Sequence, residues 1–154
     1  MRWFLRAVLL VGLLGSTCGL CAFDLQYGSL FNVKGITLKN GLPVLPTSRG
    51  KYANVRVLDK GTFELLRTCP ADCKQPAADG QVQISHIRPA ETRPNMWIAD
   101  VSVDEKWLLT FLVFKKGEKV SFISPEGVEI LNAPWLSRVH SVLQAHVQAG
   151  SEGK

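Results

Sequence analysis

Cys69 and Cys73, in the stretch TCPADCK, are the only two cysteines outside the hydrophobic N-terminus, and three residues separate them. Two thiols so close could form a redox couple, half of a metal site, or a structural disulfide. A metal site needs at least two further ligands at suitable spacing, and the chain offers only His86, His140 and His146, none in a motif with the cysteines. Redox catalysis usually employs C-x-x-C with one thiol at a helix N-terminus, where the thiolate is stabilised. Here the spacing is longer, and the carboxylate of Asp72 beside the second sulfur opposes thiolate formation. The residue types therefore favour a Cys69–Cys73 disulfide that fixes the shape of a loop.

Other catalytic constellations are unspecific. No G-x-S-x-G elbow occurs. Asp100, Asp104 and Glu105 are close in sequence, but strand alternation points Asp100 outward and the other two read as solvated turn residues. His140 and His146 are six apart, too far round a helix for the i, i+4 pair of a two-histidine metal site. His86 shares parity with Val82 and Ile84 and reads as a half-buried strand residue. No cofactor loop is visible, so the sequence implies no cofactor and no metal, and it points away from an enzyme.

The N-terminus supplies an address. Arg2 and Arg6 precede an apolar run from Ala7 to Leu14 and a small-residue stretch from Gly15 to Gly19, the order of a secretory signal peptide. The glycines, Ser16 and Thr17 dilute the segment below what a spanning helix of about 20 apolar residues requires. The reading is a signal peptide over 1–22, cut after Gly19, Cys21 or Ala22, with no stable membrane span afterwards. An exported protein follows, periplasmic or secreted, and the lack of an N-x-S/T acceptor favours a bacterial envelope. Loss of Arg2 and Arg6 lowers the formal charge from +5 to +3. Lys115, Lys116 and Lys119 gather in KKGEK, a turn composition rather than a groove-tracking stripe, and no nucleic-acid partner is implied.

Residues 23–154 make one domain of a size that supports a real core. Short apolar runs between turn residues predict strands. Asn40-Gly41 predicts a first hairpin, because that dipeptide tolerates the positive φ of a tight turn. The stretch NVRVLDKGTFELLRT, Asn54 to Thr68, predicts a second, turning at DKG. The block from Met96 to Leu131 reads as further strands of one meander, with Trp107 to Phe114 apolar on both parities as in a covered central strand. After Pro134 the period changes: Trp135, Leu136, Val139, Val142, Leu143 and Val147 form one face of a helix over 134–148. The expected fold is mainly β (α+β), an antiparallel meander sheet or partly open barrel packed by one C-terminal helix.

Function is read from these expectations. The first reading is an exported, non-enzymatic accessory or protein-interaction module of the cell envelope, with an envelope protein as partner. The second is a carrier of a small apolar ligand in a pocket between sheet and helix, lined by Trp97, Trp107, Phe111 and Trp135. The third is an envelope thiol or metal protein working through Cys69 and Cys73.

Overall fold

The computed structural model describes residues 21–47, 54–69 and 71–150. The signal peptide reading falls largely on residues 1–20, outside the described residues. The elements run β1 (Phe23–Tyr27), β2 (Phe31–Lys39), β3 (Leu42–Val44), β4 (Val55–Val57), α1 (Lys60–Thr68), β5 (Cys73–Gln75), β6 (Val82–Pro89), β7 (Met96–Val103), β8 (Trp107–Lys116), β9 (Lys119–Ile123), β10 (Val128–Ile130) and α2 (Ala133–Ala149). The fold is mainly β, with antiparallel sheets, a C-terminal helix packed on them and no closed barrel.

The described strands form two sheets. In the first, the order is β10-β2-β1-β5, with β3 also on β2, and only the β1–β5 pairing is parallel. The second runs β4-β8-β7-β6, with β9 also on β8. β4 takes the first half of β8, from Trp107 to Leu109, and β9 takes the second, from Leu112 to Lys116.

Local chemistry sets the turns. Asn40 and Gly41 have φ of 52° and 72° between the paired Lys39 and Leu42, the expected Asn-Gly hairpin. Asp104 and Glu105 both have positive φ, 50° and 57°, where β7 turns into β8. Gly117, with φ of 62°, is the first of two residues between the paired Lys116 and Lys119.

Asn54 to Thr68 is not the expected hairpin. Only Val55–Val57 is a strand, and DKG opens α1 instead of turning the chain back. Asp59 caps the helix, its Oδ2 accepting from the Thr62 backbone N–H at 3.1 Å. Alternation of Phe63 and Leu65 suggested a strand, but the inward residues are Thr62 and Leu66 and, partly, Leu65 and Cys69, at helical spacing. A second correction concerns β10, which leaves the meander and pairs with β2 in the other sheet, Ile130 opposite Phe31. Gly127 permits the crossing: its φ is 77°, and a Cβ there would collide with the Pro46 ring. Glu129 then accepts from Asn32 at 3.0 Å and pairs with Lys34 at 2.9 Å.

The core lies between the inner faces of the two sheets and α2. Ala99, Val101 and Val103 of β7 and Trp107, Leu109, Phe111 and Val113 of β8 meet Leu25, Tyr27, Phe31 and Val33 of the first sheet. α2 contributes Trp135, Val139, Leu143 and Val147, while Val142, expected on the same face, is 39 % exposed. Asp100 is also corrected. It does lie on the opposite parity to Val101, but it is buried, accepting from the Thr110 hydroxyl at 2.6 Å with Arg56 at 3.7 Å.

Asp104 is more than a solvated turn residue. Its carboxylate accepts from Tyr27 Oη at 2.7 Å, from the Gly80 N–H at 3.1 Å and from the Gln81 N–H at 2.8 Å. Burial pushes its pKa up, but these hydrogen bonds outweigh burial and hold it below the usual carboxylate value. Tyr27 responds in the opposite sense: burial, then the neighbouring carboxylate, raise its phenol far above the ordinary range.

Two expectations follow. Leu143→Ala should cost about 2–5 kcal/mol, and Val142→Ala no more than about 0.5 kcal/mol, in urea unfolding; equal costs would contradict the placement of α2. Asp104 binds its proton less readily folded than unfolded, so its stabilisation is present above the unfolded value of about 3.9 and is lost as pH falls through the lower folded value. Asp104→Asn should lower stability at neutral pH by about 1–3 kcal/mol and flatten the acid limb of a stability–pH profile. An unchanged acid limb would show that the carboxylate has no such role.

Candidate functional site

Cys69 and Cys73 are joined in a disulfide, with Cα atoms 5.7 Å apart. Cys69 is the C-cap residue of α1, and Cys73 begins β5. Asp72 reaches positive φ, 46°, in the ring between them. The bond ties the end of α1 to the strand that carries Gln75. That side chain is buried and bridges two elements: its Nε2 donates to Thr62 Oγ1 of α1 at 2.7 Å, and its Oε1 accepts from Trp107 Nε1 of β8 at 3.0 Å. As bonded sulfurs, Cys69 and Cys73 present no thiolate to a metal or a substrate. Among the described residues, no group of three or more His, Cys, Asp or Glu side chains could hold a metal ion.

The histidines are scattered. A register shift between Ile84 and His86 opens a bulge in β6, so Ile87 takes the half-buried position and His86 is exposed, contrary to simple alternation. His140 stacks on Phe122 at 4.2 Å with an angle of 10° between the rings, and meets Phe111 edge-on at 6.5 Å. Burial holds its imidazole below the ordinary value, and its buried Nε2 has no hydrogen-bond partner among the described residues. His140 is a packing residue, and its burial disfavours the charged form.

The four aromatic positions expected to line a pocket divide. Trp107, Phe111 and Trp135 are fully buried in the core. Trp107 lies 6.2 Å from Phe31, and Trp135 lies 5.7 Å from the same ring. Trp97, at the start of β7, is half-buried on the inner face of the sheet, packed against the edge of the core, and lines a cleft of about 690 Å³. The cleft opens where the last turn of α2 meets the end of the second sheet. Ile87, Pro89, Trp97 and Val147 supply apolar surface, and Asn95, Lys115 and His146 supply polar groups. Asn95 is fixed by its own backbone, with φ of 60° and its carbonyl accepting from the Lys115 N–H at 2.9 Å.

Of the cleft residues, the sequence singled out Trp97 alone for a pocket. His146 was legible as a neighbour of the helical stripe. Ile87 was hidden by the bulge, and nothing in the linear pattern marked Pro89 or Asn95 for a pocket. The combination of an open apolar floor with a few polar groups at the rim is suited to binding one large apolar group. The volume is that of a small-molecule or side-chain pocket rather than of a channel.

Comparison with protein-family models, with curated proteins and with solved structures returned no match. No helix among the described residues is long and apolar enough to cross a membrane.

Changing both Cys69 and Cys73 to Ser should lower stability by at most about 3 kcal/mol, the scale for a ring of about fifteen residues and so an upper bound for this shorter one. The Trp107 indole N–H resonance should shift, because the strand holding Gln75 loses its tether. Free thiols in protein purified without reductant would contradict the bonded pair.

Proposed function

We propose that this protein is an exported, non-enzymatic binding module whose contact site is the cleft between α2 and the end of the second sheet. The observation that carries the reading is the placement of Trp97, a large aromatic ring left half-buried beside Ile87, Pro89 and Val147 while the other tryptophans of the described residues are sealed in the core. A half-buried indole in an apolar recess offers large contact area at little cost in side-chain freedom, and Trp is enriched among residues that dominate binding energy. Export is supported by the charged, apolar and small segments of the N-terminus. A disulfide is consistent with an oxidising compartment.

The carrier reading draws on the same cleft, whose volume is within the range of about 300–1,000 Å³ usual for ligand pockets. The thiol or metal reading finds less support, because it requires free sulfurs at Cys69 and Cys73.

Binding of small aromatic probes tests the site itself. Indole and phenol, titrated at millimolar concentration, should shift amide resonances of Asn95, Gly117 and Gly150 together with the Trp97 indole. Trp97→Ala should remove the response at the amides while the amide spectrum of the core strands remains that of folded protein, with a lowered melting temperature because Trp97 also packs against the core. Shifts clustered elsewhere, or unaffected by Trp97→Ala, would overturn the assignment of the cleft.

A further inference from the structure

His140 stands where an apolar residue would be expected. Leu136, His140, Leu143 and Val147 follow one another at spacings of four, three and four along α2, a single inward stripe. Leu143 and Val147 are buried, and Leu136 is partly so. The His140 ring stacks on Phe122 of β9 at 4.2 Å and meets Phe111 of β8 edge-on at 6.5 Å, and its buried Nε2 has no hydrogen-bond partner among the described residues. Helix α2 itself contains no acid, and its other charged or titratable groups are Arg138, which is exposed, and His146 at the cleft. On β8 the inward positions run Phe111, Val113 and Lys115, and on β9 they are Val120 and Phe122, with Lys116 and Lys119 on the opposite face. From β6, which also packs on α2, Val82, Ile84 and Ile87 turn inward. Among the inward residues of the first sheet Tyr27 alone is titratable, and its hydroxyl is given to Asp104. The inward charge on these elements is therefore Lys115, of the same sign as an imidazolium.

A charged imidazole donates from both nitrogens, so the charged ring holds an N–H at the buried Nε2, where no acceptor lies. Cation–π attraction to Phe122 offsets part of that cost but supplies no acceptor. We propose that His140 is a proton-operated latch: proton uptake loosens the second half of α2 from β8 and β9, the helix wall of the cleft moves with it, and an occupant held at neutral pH is released in acid. This rests on the assignment of the cleft as the binding site and adds its regulation. Val147 is the link, since it lines the cleft while sharing the stripe with His140. The docked helix disfavours the proton that a free imidazole accepts, because burial lowers the docked value. Docking is thus at full strength above the ordinary histidine value of about 6.5, weakens as pH falls through it, and levels off below the lower value of the docked state.

An NMR titration of the intact protein with indole, from pH of about 7.5 to about 5, reads both halves of this inference. The His140 ring protons should titrate at lower pH than those of the exposed His86, and saturating indole should lower the His140 midpoint further, because linkage is reciprocal. Indole binding, read at the Asn95 and Gly117 amides, should weaken by at least about fivefold across this range. Hydrogen exchange, corrected for intrinsic rates, should accelerate in the second half of α2 more than in β7 and β8. His140→Phe, or His140→Gln should the first variant not fold, should bind indole without this pH dependence. His146→Gln, which removes the cleft's own imidazole, should retain it. Dependence that persists without His140, or vanishes with His146→Gln, would overturn the latch, as would equal acceleration of exchange in α2 and the central strands. Indole binding that ignores pH, or leaves the His140 midpoint unmoved, keeps the cleft as the site and removes its regulation. If indole binds at no pH the cleft itself is lost, and the His140 midpoint with the α2 exchange still decides whether acid loosens the helix.

Discussion

Three buried aromatic rings with polar tips meet at the centre of this domain, and each tip must be hydrogen-bonded in place because water cannot reach it. Tyr27 and Trp107 face each other edge-on at 6.3 Å, and Phe31 bridges both tryptophans. The Tyr27 hydroxyl donates to Asp104, the Trp107 indole to Gln75, and the Trp135 indole to the Gly80 carbonyl at 3.0 Å. Each bond draws in a segment that contributes little apolar surface of its own. Asp104 fixes the β7–β8 turn and reaches back to Gly80 and Gln81, which lead into β6. Gln75 holds β5 in the first sheet and contacts α1 through Thr62. Gly80 seats the first turn of α2: its φ of 64° favours glycine, and a Cβ there would lie 2.9 Å from the Leu30 side chain and 3.3 Å from the Trp135 ring.

Seen from that centre, the disulfide has a specific task. β5 is an edge strand of three residues, and such a short element is poorly held by its own ladder. Bonding Cys73 to Cys69 anchors the strand to the end of α1, so Gln75 stays within reach of Trp107. The sulfurs are thus tied to the core, not to the cleft, where none of the lining residues is a cysteine.

The cleft sits at the opposite end of α2 from the aromatic centre. Trp135 at the start of the helix is locked by Gly80, and the buried Val139, Leu143 and Val147 carry that position along the sheet to the helix end. Residues from β6, β7, the β8–β9 turn and α2 converge there. Such a site needs little reorganisation to accept a group, since its floor stands on regular elements and its rim on short turns. The functional reading therefore rests on a surface that the packing of the core holds in place.

Much of the fold was legible because its signals are local. Asn40-Gly41 sets the first hairpin, the apolar run from Trp107 to Phe114 marks the central strand, and Pro134 with a three-four apolar spacing marks α2. The TCPADCK spacing likewise suffices to suggest a disulfide. Tertiary structure decided the rest, for reasons a linear pattern does not carry. Phe63 and Leu65 alternate as in a strand, yet the Asp59 cap and the burial of Leu66 make that segment a helix. β10 follows β9 in sequence but joins β2, because sheet partners are chosen by long-range packing and not by chain order. Asp100 and Asp104 looked solvated, and whether a carboxylate is wet depends on partners ten or seventy-seven residues away, Thr110 and Tyr27. The cleft is the extreme case. Its residues come from three strands, a turn and a helix end, each unremarkable in its own stretch, and only their convergence leaves Trp97 half-exposed in an apolar recess.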